Sequence, residues 1–541
     1  MSRSLTCVLL VVAFTMPQHF FGQAAENKQK QAYPKLWNWF NEDPRADKVS
    51  GMSVEKAYEY VKGKKPKEIV VAVLDSGVET DHPDLKENIW TNSNEIPQNG
   101  IDDDGNGYID DVHGWNFLGN EDGEVIVYEN LEFVRILKDL EKDFAGVDSA
   151  AVPSEKKEAY AQYLEFKGKQ ANELEKATKE YTMMASLFEN ATIARENVKN
   201  YLQKDDFTAK ELKEIKTENE AIKQSVSLLQ TISQLGLPYT DLKEYVSYLS
   251  GKKEYWYNLD YDARLIIGDK PGDIKDSIYG NEIVGGDHTS HGTHVAGIIG
   301  AVRGNQLGVN GVADKVKIMP VRVVPDGDER DKDVALGIRY AVNNGANIIN
   351  MSFGKNYSPH KKMVDEAIQY AQENNVLVIH AAGNNAENND EVIHFPSNIL
   401  LNGDTLTSSY LVVGANSLSR KKDVVGSFSN YGGKSVDLFA PGVDIYSTYP
   451  NGEYAVNSGT SMACPAASGV AALVWSYYPD LTAKELKSVL TESVHTPRRR
   501  RVYNPDQQGD KKVKFEELSK SGGIINAYNA VRLAEEKTSK N

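Results

Sequence analysis

Short apolar runs that end in turn-forming residues recur along the chain and alternate with segments in which apolar residues have helical spacing. Nearly continuous apolar strands separated by helices are typical of a parallel sheet covered on both faces. The pattern therefore predicts an α/β fold whose chemistry lies at the carboxyl ends of its strands. The predicted strands are residues 69–77, 316–324, 346–354, 376–384 and 410–416, and the predicted helices between them are residues 291–302, 333–345 and 362–375.

A charged helical pattern interrupts this alternation over residues 121–280. Apolar residues recur at helical intervals over residues 160–187, which predicts a helix with one apolar face. Thr208 and Glu211 have the spacing of a capping box, which predicts that a second long helix follows over residues 209–232. We therefore expect a hairpin of long helices inserted into the α/β domain. Its apolar face fits either the insertion's own core or a surface that binds a protein partner or gates substrate.

The N-terminus has the layout of a signal peptide, with Arg3, an apolar stretch over residues 5–14 and small residues at 22–25. The apolar stretch is too short to span a bilayer. We therefore expect an exported protein in the periplasm, at the cell surface or outside the cell. The predicted organisation is a signal peptide (1–24), an N-terminal arm (25–68), a first part of the α/β domain (69–120), the insertion (121–280) and a second part of the α/β domain (281–538).

Composition narrows the choice of partners and of stabilising interactions. The formal net charge of −16 argues against nucleic acid or an anionic membrane as the main partner. No later segment is apolar enough to insert stably in a membrane. Removal of the signal peptide would leave Cys464 as the single cysteine, so no intrachain disulfide is expected. Bound metal is then one candidate source of stability.

Three residues with complementary chemistry lie in informative places. Asp75 ends the first predicted strand, His291 opens a helix of small residues, and Ser461 opens another in "NSGTSMACPAASGVAAL". Acyl transfer at neutral pH needs a base to take the serine proton and an acid to orient that base. An alternative is that Thr460 or Ser461 simply caps the helix. The sequence has no G-x-S-x-G elbow, which weighs against a lipase-like hydrolase.

The segments "VAVLDSGVETDHPDL", "HGTHVAGIIGA" and "NSGTSMACPAASGVAAL" resemble the active-site blocks of the subtilisin family of serine peptidases. The resemblance covers residues 69–118 and 281–535, and it implies a subtilisin-like parallel sheet. By position it implies that Asp75, His291 and Ser461 form the catalytic triad. The second histidine of its block, His294, would be structural, and Cys464 and Ala466 depart from the family as packing changes. The short N-terminal arm leaves little room for a folding propeptide, so none is expected.

The resemblance also implies an oxyanion donor and substrate-binding segments. Asn384, in "HAAGNN", matches the family's oxyanion asparagine, which would act together with the backbone N–H of Ser461. A first matching segment would pair with an extended substrate strand. This segment and a second one would flank the pocket for the side chain of the residue before the cleaved bond. These substrate-binding residues are Ser352, Phe353 and Gly354, and Ala381, Ala382 and Gly383.

The stretch "NGIDDDGNGYIDDVHGWNF" resembles the opening of a calcium loop, in which alternating oxygen ligands converge and a glycine permits the turn. The twelfth position is His113 where an EF-hand has Glu, so a helix–loop–helix is not expected. The alternative is a solvated acidic turn. The resemblance to subtilisins implies a second calcium site that includes Asp84 and Asn305. The predicted ligands of the loop are Asp102, Asp104, Asn106, Tyr108 and Asp111.

The sequence thus predicts an exported, calcium-stabilised serine endopeptidase that acts on polypeptides. Two rival functions remain open at this point. A non-catalytic binding protein on a peptidase scaffold would have no chemical reason to keep all four catalytic residues. An esterase could use the same triad, and turnover of amide and ester substrates would separate it from a peptidase.

Overall fold

The computed structural model describes residues 37–237, 239–406, 408–505 and 511–539. The predicted signal peptide and the first part of the N-terminal arm lie outside these residues. The described chain forms two compact units. One is an α/β unit that runs up to Glu132 and resumes at Asp262, and the other is a helical unit, Phe133–Tyr261.

The α/β unit is built on one seven-stranded sheet with the strand order β2-β3-β1-β4-β5-β6-β7. Every neighbouring pair in it is parallel, which confirms the predicted fold class. Two antiparallel hairpins, β8-β9 and β10-β11, lie outside this sheet. The strands are β1 (Ile69–Asp75), β2 (Trp115–Asn116), β3 (Val316–Arg322), β4 (Ile348–Met351), β5 (Leu377–Ala381), β6 (Tyr410–Asn416), β7 (Leu438–Pro441), β8 (Ile445–Tyr449), β9 (Glu453–Asn457), β10 (Arg501–Tyr503) and β11 (Lys512–Lys514).

Helices cover both faces of the sheet. The longest buried helix, Thr460–Tyr477, packs in one core cluster with strand residues such as Val71 and Val73. On the opposite face, a Cβ on Gly337 would lie 3.3 Å from Val321. The helices of this unit are α1 (Val54–Val61), α7 (Arg264–Ile267), α8 (Ser290–Gly300), α9 (Asp331–Asn343), α10 (Lys361–Glu373), α11 (Thr460–Tyr477), α12 (Ala483–Glu492) and α13 (Ala527–Thr538), and α2 (Glu132–Phe144) begins at its last residue before the helical unit.

Strands β4 and β5 are shorter than the apolar runs at 346–354 and 376–384 predicted. Residues just after each strand bond to helix α11. The carbonyl of Ser352 accepts a hydrogen bond from the Ser461 hydroxyl at 2.9 Å, and the N–H of Gly383 donates to the Thr460 hydroxyl at 3.1 Å. The residues that follow the two strands therefore lie beside the start of helix α11.

The helical unit has its own core. Its first long helix was predicted correctly, and Ala177, Met184 and Leu187 of that helix are buried. The capping box at Thr208 and Glu211 is present as predicted. The helices of the unit after α2 are α3 (Lys157–Leu202), α4 (Ala209–Glu214), α5 (Glu220–Gln234) and α6 (Tyr239–Gly251).

The prediction of one long helix over residues 209–232 was wrong, because the chain breaks between α4 and α5. Ile215 leaves the helix with an extended backbone, and Asn219 starts the next one by accepting hydrogen bonds from two backbone N–H groups. The periodic apolar pattern continues across the break, and Asn219, which caps the second helix, is not one of its apolar positions. The pattern therefore did not show where the first helix ends. Much of the apolar pattern packs inside this unit, where Met184, Leu187 and Leu229 share one cluster.

The compact helical unit, Phe133–Tyr261, covers fewer residues than the predicted insertion of residues 121–280. The flanking residues on both sides pack within the α/β unit. The N–H of Glu129 donates to the carbonyl of Asp326 at 3.0 Å, and Arg264 forms a buried ion pair with Asp333. Charge alone could not separate these flanks from the insertion, because their buried ion pairs resemble surface charges in the sequence. Among the described residues, no helix is both long enough and apolar enough to cross a membrane.

Candidate active site

Asp75 lies at the carboxyl end of β1, in the middle of the sheet, and is 1% exposed. Its Oδ1 accepts the backbone N–H of Ser76 at 2.8 Å. Gly77 follows with φ of +104°, and a Cβ there would lie 2.5 Å from the carbonyl of Val284. The glycine therefore lets the chain turn sharply after the strand and keeps Asp75 at its edge.

His291 faces this carboxylate from the first turn of α8. Its Nδ1 lies 2.7 Å from Asp75 Oδ1, and 40% of the imidazole side chain is exposed. A Cβ on Gly292 would lie 2.1 Å from the carbonyl of Gly77, so a glycine is needed for this close approach. Partial burial alone would lower the pKa of His291, but the charge and hydrogen bond of Asp75 outweigh it and raise that pKa above its ordinary value.

The neighbouring histidine, His294, has a different environment. It is fully buried, and its Nε2 lies 3.1 Å from the carbonyl oxygens of both Ile445 and Ala455. Burial is the main reason that its pKa falls to about 3, so it stays neutral. The geometry agrees with a structural role in joining α8 to the β8-β9 hairpin.

Ser461 is the second residue of α11, where backbone N–H groups of the first turn lack intrahelical partners. Its Oγ donates to the carbonyl of Ser352 at 2.9 Å, and the Ser352 hydroxyl donates to the carbonyl of Ser461 at 3.0 Å. The alternative that Thr460 or Ser461 caps the helix is wrong. The capping position is Gly459, which has no side chain.

Asn384 lies beside the start of the same helix. Its Oδ1 accepts the backbone N–H of Thr460 at 2.8 Å and the Thr460 hydroxyl at 2.9 Å. A Cβ on Gly459 would lie 3.6 Å from the amide nitrogen of Asn384. The amide oxygen is therefore engaged, and the amide nitrogen lies next to the helix N-terminus as a donor.

The predicted substrate-binding segments lie on either side of this region. His380 Nε2 donates to the carbonyl of Phe353 at 2.8 Å, which ties the two segments together. Burial lowers the pKa of His380 to about 4. Gly354 is followed by Lys355, which pairs with Phe395 in an antiparallel bridge. A cavity beside the second segment is lined by residues that include His380, Ala381, Ala382, His394 and Pro396.

The acidic loop is organised by the side chain of Asp102. One carboxylate oxygen accepts the N–H of Gly105 at 2.7 Å and of Asn106 at 3.1 Å, and the other accepts the N–H of Gly107 at 2.7 Å. The N–H of Tyr108 donates to the side-chain oxygen of Asn106 at 2.8 Å. The loop is thus folded tightly by its own polar side chains.

Two other loop carboxylates converge. The side-chain amide of Asn92 donates to Asp104 at 2.9 Å and to Asp111 at 2.8 Å. Tyr340 of α9 donates its hydroxyl to Asp111 at 2.7 Å. Burial raises the pKa of Asp111 to about 6. Glu95 lies close to both carboxylates, and the sequence pattern did not single it out because it precedes the loop repeat.

The two predicted ligands of the second calcium site, Asp84 and Asn305, are in contact with each other. Asn305 donates to Asp84 Oδ1 at 2.6 Å, while Val309 and Tyr454 donate to Asp84 Oδ2 at 3.3 and 3.2 Å. Asp84 is fully buried, and this burial raises its pKa although the hydrogen bonds oppose the rise. Protein donors therefore already contact both of its carboxylate oxygens.

The site contains a carboxylate, Asp75, in contact with an imidazole, His291, and a serine, Ser461, at a helix N-terminus. These groups lie at the carboxyl edge of a parallel sheet, and their order along the chain is Asp, His, Ser. This arrangement is typical of a serine hydrolase, and the order is that of subtilisin. The sequence model of the subtilase family matches residues 66–517. The chain belongs to the subtilase family.

Curated relatives agree with this family. The chain is 37% identical over 209 residues to a cell wall-associated protease of Bacillus subtilis (strain 168), an alignment that covers 38% of this chain and 21% of the relative. It is 34% identical over 209 residues to subtilisin DY of Bacillus licheniformis, covering 38% of this chain and 71% of the relative. It is 35% identical over 208 residues to a thermostable alkaline protease of Halalkalibacterium halodurans (strain ATCC BAA-125 / DSM 18197 / FERM 7344 / JCM 9153 / C-125), covering 38% of this chain and 53% of the relative. Family and relatives support a serine endopeptidase.

Proposed function

We propose that this chain is an exported serine endopeptidase that hydrolyses polypeptides through Asp75, His291 and Ser461. The observation that carries the proposal is the 2.7 Å contact between His291 Nδ1 and Asp75 Oδ1, with Ser461 at the start of α11. Because a carboxylate oxygen can only accept, Nδ1 carries the proton and Nε2 of the neutral ring is left as the base. This tautomer is the one that general-base catalysis requires.

In the proposed reaction the Ser461 hydroxyl turns from the Ser352 carbonyl to His291 Nε2. The oxygen attacks the substrate carbonyl while Nε2 takes its proton, and Asp75 stabilises the charged imidazole. Collapse of the tetrahedral intermediate breaks the C–N bond, and His291 returns the proton to the leaving amine. A water molecule, activated in the same way, then hydrolyses the acyl-enzyme and releases the acid product.

The oxyanion of the intermediate is stabilised by the Asn384 amide and the N–H of Ser461. Such a donor acts mainly in the transition state, because it is placed for the oxyanion and not for the ground-state carbonyl. Removal of one donor costs about 100-fold to 1,000-fold in kcat, a magnitude established on subtilisin, a member of the same family. The fixed orientation of the Asn384 side chain supports this role.

The proposed substrate is an extended polypeptide. The segment Ser352, Phe353 and Gly354 would add a substrate strand by backbone hydrogen bonds, and Ala381, Ala382 and Gly383 would flank the adjoining side-chain pocket. A larger side chain at Gly354 has little room, because a Cβ there would lie 3.0 Å from the carbonyl of Phe395.

Calcium is the proposed stabilising ion of the acidic loop, with Asp102, Asp104, Asn106, Tyr108 and Asp111 as the predicted ligands. The donor set fits, because calcium prefers several oxygen ligands from carboxylates, amides and carbonyls. A bound ion would supply stability by favouring the folded state, and it would take no part in the bond-breaking steps. Asp84 and Asn305 are the second candidate site, where protein donors contact both carboxylate oxygens of Asp84.

Export is supported by the N-terminal signal-like layout and by the similarity to subtilisins. Fractionation of cells together with N-terminal sequencing of the mature chain would test it. A mature protein that stays in the cytoplasm with residues 1–24 intact would contradict export without affecting the catalytic proposal.

A fluorophosphonate probe tests the catalytic function directly, because it reacts with an activated serine. We expect the probe to label the parent protein and not the Ser461→Ala variant, and we expect the parent alone to cleave peptide amides. A folded parent protein that neither labels nor cleaves would favour the non-catalytic binding protein. Turnover of esters without turnover of amides would favour the esterase.

A further inference from the structure

Glu95 is a buried acidic residue that the catalytic site does not use. The residue is 6% exposed. Glu95 ends a turn in which its own backbone N–H donates to the carbonyl of Asn92 at 3.4 Å. Its Oε1 accepts the backbone N–H groups of Asp103 at 3.0 Å and Asp104 at 3.2 Å. Its Oε2 is buried and has no hydrogen-bond partner among the described residues. Oε1 of Glu95 therefore anchors the loop, whereas Oε2 accepts no hydrogen bond from the described residues.

The Glu95 carboxylate lies in a cluster of like charge. Carboxylate oxygens of Glu95, Asp104 and Asp111 all lie within 4.8 Å of one another, and Glu95 and Asp111 are buried. Within the described parts of the chain, none of these carboxylates forms an ion pair with Lys, Arg or His. Burial of ionised carboxylates is unfavourable unless a cation or hydrogen-bond donors compensate.

We propose that Glu95 is a direct ligand of the calcium ion of the acidic loop, through Oε2. The inference rests on the proposed calcium loop, and it adds a ligand from outside that loop. Glu95 would then add a fourth carboxylate to those of Asp102, Asp104 and Asp111. Asp102 would also fold the loop, because its two oxygens accept N–H groups from Gly105, Asn106 and Gly107.

A ligand at Glu95 gives the ion a structural consequence. The ion would join the turn at residues 92–95 to the loop at residues 102–111. Asp111 is in turn held by the Tyr340 hydroxyl at 2.7 Å, so the joined segments are fixed to α9. Oxygen ligands from separate segments suit calcium, which accepts variable geometry, better than magnesium, which demands near-octahedral geometry.

The Glu95→Gln variant separates a ligand from a purely structural residue. Glutamine has the same shape, and its side-chain oxygen can still accept the N–H groups of Asp103 and Asp104. Its amide nitrogen cannot bind a cation. A structural role would therefore survive the substitution, whereas a ligand role would be lost.

The test uses the full chain in a Ser461→Ala background, so that self-cleavage cannot interfere. Terbium luminescence reports binding, because Tyr108 in the loop and Trp115, with ring centroids 5.0 Å apart, can sensitise the ion. Competition with calcium then gives the calcium affinity. Asp104→Asn reports on the loop itself, and Glu121→Gln, at an exposed position, is the matched control.

We expect Glu95→Gln to weaken calcium binding at least about ten-fold, and Glu121→Gln to leave it unchanged. Parent-like affinity in Glu95→Gln, with weakened binding in Asp104→Asn, would overturn the role of Glu95 and leave the calcium loop standing. If Asp104→Asn also binds like the parent, the calcium loop fails as well.

A second variant covers the case in which Glu95→Gln does not fold. Glu95→Asp keeps the carboxylate but shortens its reach by one methylene, so weakened but measurable binding is expected. Circular dichroism in excess calcium and in chelator checks the fold of each variant. Parent-like calcium affinity in folded Glu95→Asp would count against a distance-dependent ligand and overturn the proposal.

Discussion

The side-chain oxygen of Asn384 accepts two hydrogen bonds from Thr460, one from the backbone N–H at 2.8 Å and one from the hydroxyl at 2.9 Å. A backbone N–H can only donate, so the atom of Asn384 that it contacts must be the oxygen and not the nitrogen. The Thr460 hydroxyl also accepts the N–H of Gly383 at 3.1 Å. Thr460 therefore fixes which end of the amide is available as an oxyanion donor.

Replacement of Thr460 by Val should lower kcat by about ten-fold with little change in KM, because it removes one hydrogen bond that orients Asn384. Thr460→Ser keeps the hydroxyl and should restore activity. Steady-state kinetics on a peptide amide measure both parameters. The effect should disappear in an Asn384→Ala background, since no amide is left to orient. An equal loss in that background would mean that Thr460 acts through packing instead.

Asn384→Ala should itself lower kcat by about 100-fold to 1,000-fold while KM stays near the parent value. The physical reason is that the lost hydrogen bond is made mainly in the transition state. Asn385→Ala, at the next position, is the control and should be much milder. A rise in KM with unchanged kcat would instead mean that Asn384 binds the ground-state substrate.

The pH dependence of kcat/KM should follow the ionisation of His291. The ring must be neutral to accept the serine proton, so activity is lost as the pH falls through its pKa. Asp75 raises this pKa, so the acid limb should lie above the ordinary histidine value of about 6.5. A pH–rate profile measures it, and NMR titration of the ring in Ser461→Ala provides an independent check.

Asp75→Asn should lower kcat by about 10,000-fold, because the amide N–H can donate to His291 Nδ1 and so favour the wrong tautomer of the imidazole. Loss of the negative charge should also lower the pKa of His291, so the acid limb of the residual activity moves to lower pH. An acid limb that stays in place would show that another group sets it.

The strands and the active-site motifs were readable from the sequence because each depends on local order. Buried parallel strands give unbroken apolar runs, and Asp75 ends one of them, whereas His291 and Ser461 are each the second residue of a helix rich in small residues. Their placement at one edge follows from the rule that parallel strands end together.

Other features depend on contacts that are distant in sequence, and no local pattern predicts them. Thr460 orients Asn384 across 76 positions, and Tyr340 holds Asp111 across 229 positions. Glu95 has a significance that appears only when its buried oxygen is located beside the loop. The break before Asn219 was missed for a different reason, since an apolar stripe can continue through a short loop.

Excess chelator should lower the melting temperature of Ser461→Ala protein, because an ion that binds the folded state stabilises it by mass action. The expected contribution is about 2.7 kcal/mol when free calcium is a hundredfold above its Kd. Asp104→Ala should blunt the response to chelator, whereas Asp122→Ala, at an exposed position, should not. A parent melting curve that is the same in calcium and in chelator would contradict a stabilising calcium ion.

Removal of the helical unit should leave peptide cleavage intact, because every proposed catalytic residue lies in the α/β unit. Within the helical unit the ends of the chain lie close together, since Lys138 Nζ donates to the carbonyl of Tyr261 at 2.6 Å. A short Gly-Ser linker in place of residues 134–260 should therefore preserve the fold. Cleavage of a short peptide amide and circular dichroism measure the outcome.

The matched control replaces residues 125–275 and should destabilise the α/β unit. It removes Glu132, which pairs with buried Lys355 at 2.6 Å, and Arg264, which pairs with buried Asp333. Loss of one partner from a buried ion pair costs about 3–5 kcal/mol. A folded 134–260 variant without peptide cleavage would contradict an independent α/β unit. If cleavage of a folded protein rises more than cleavage of the peptide, the helical unit gates the substrate, whereas equal changes exclude gating.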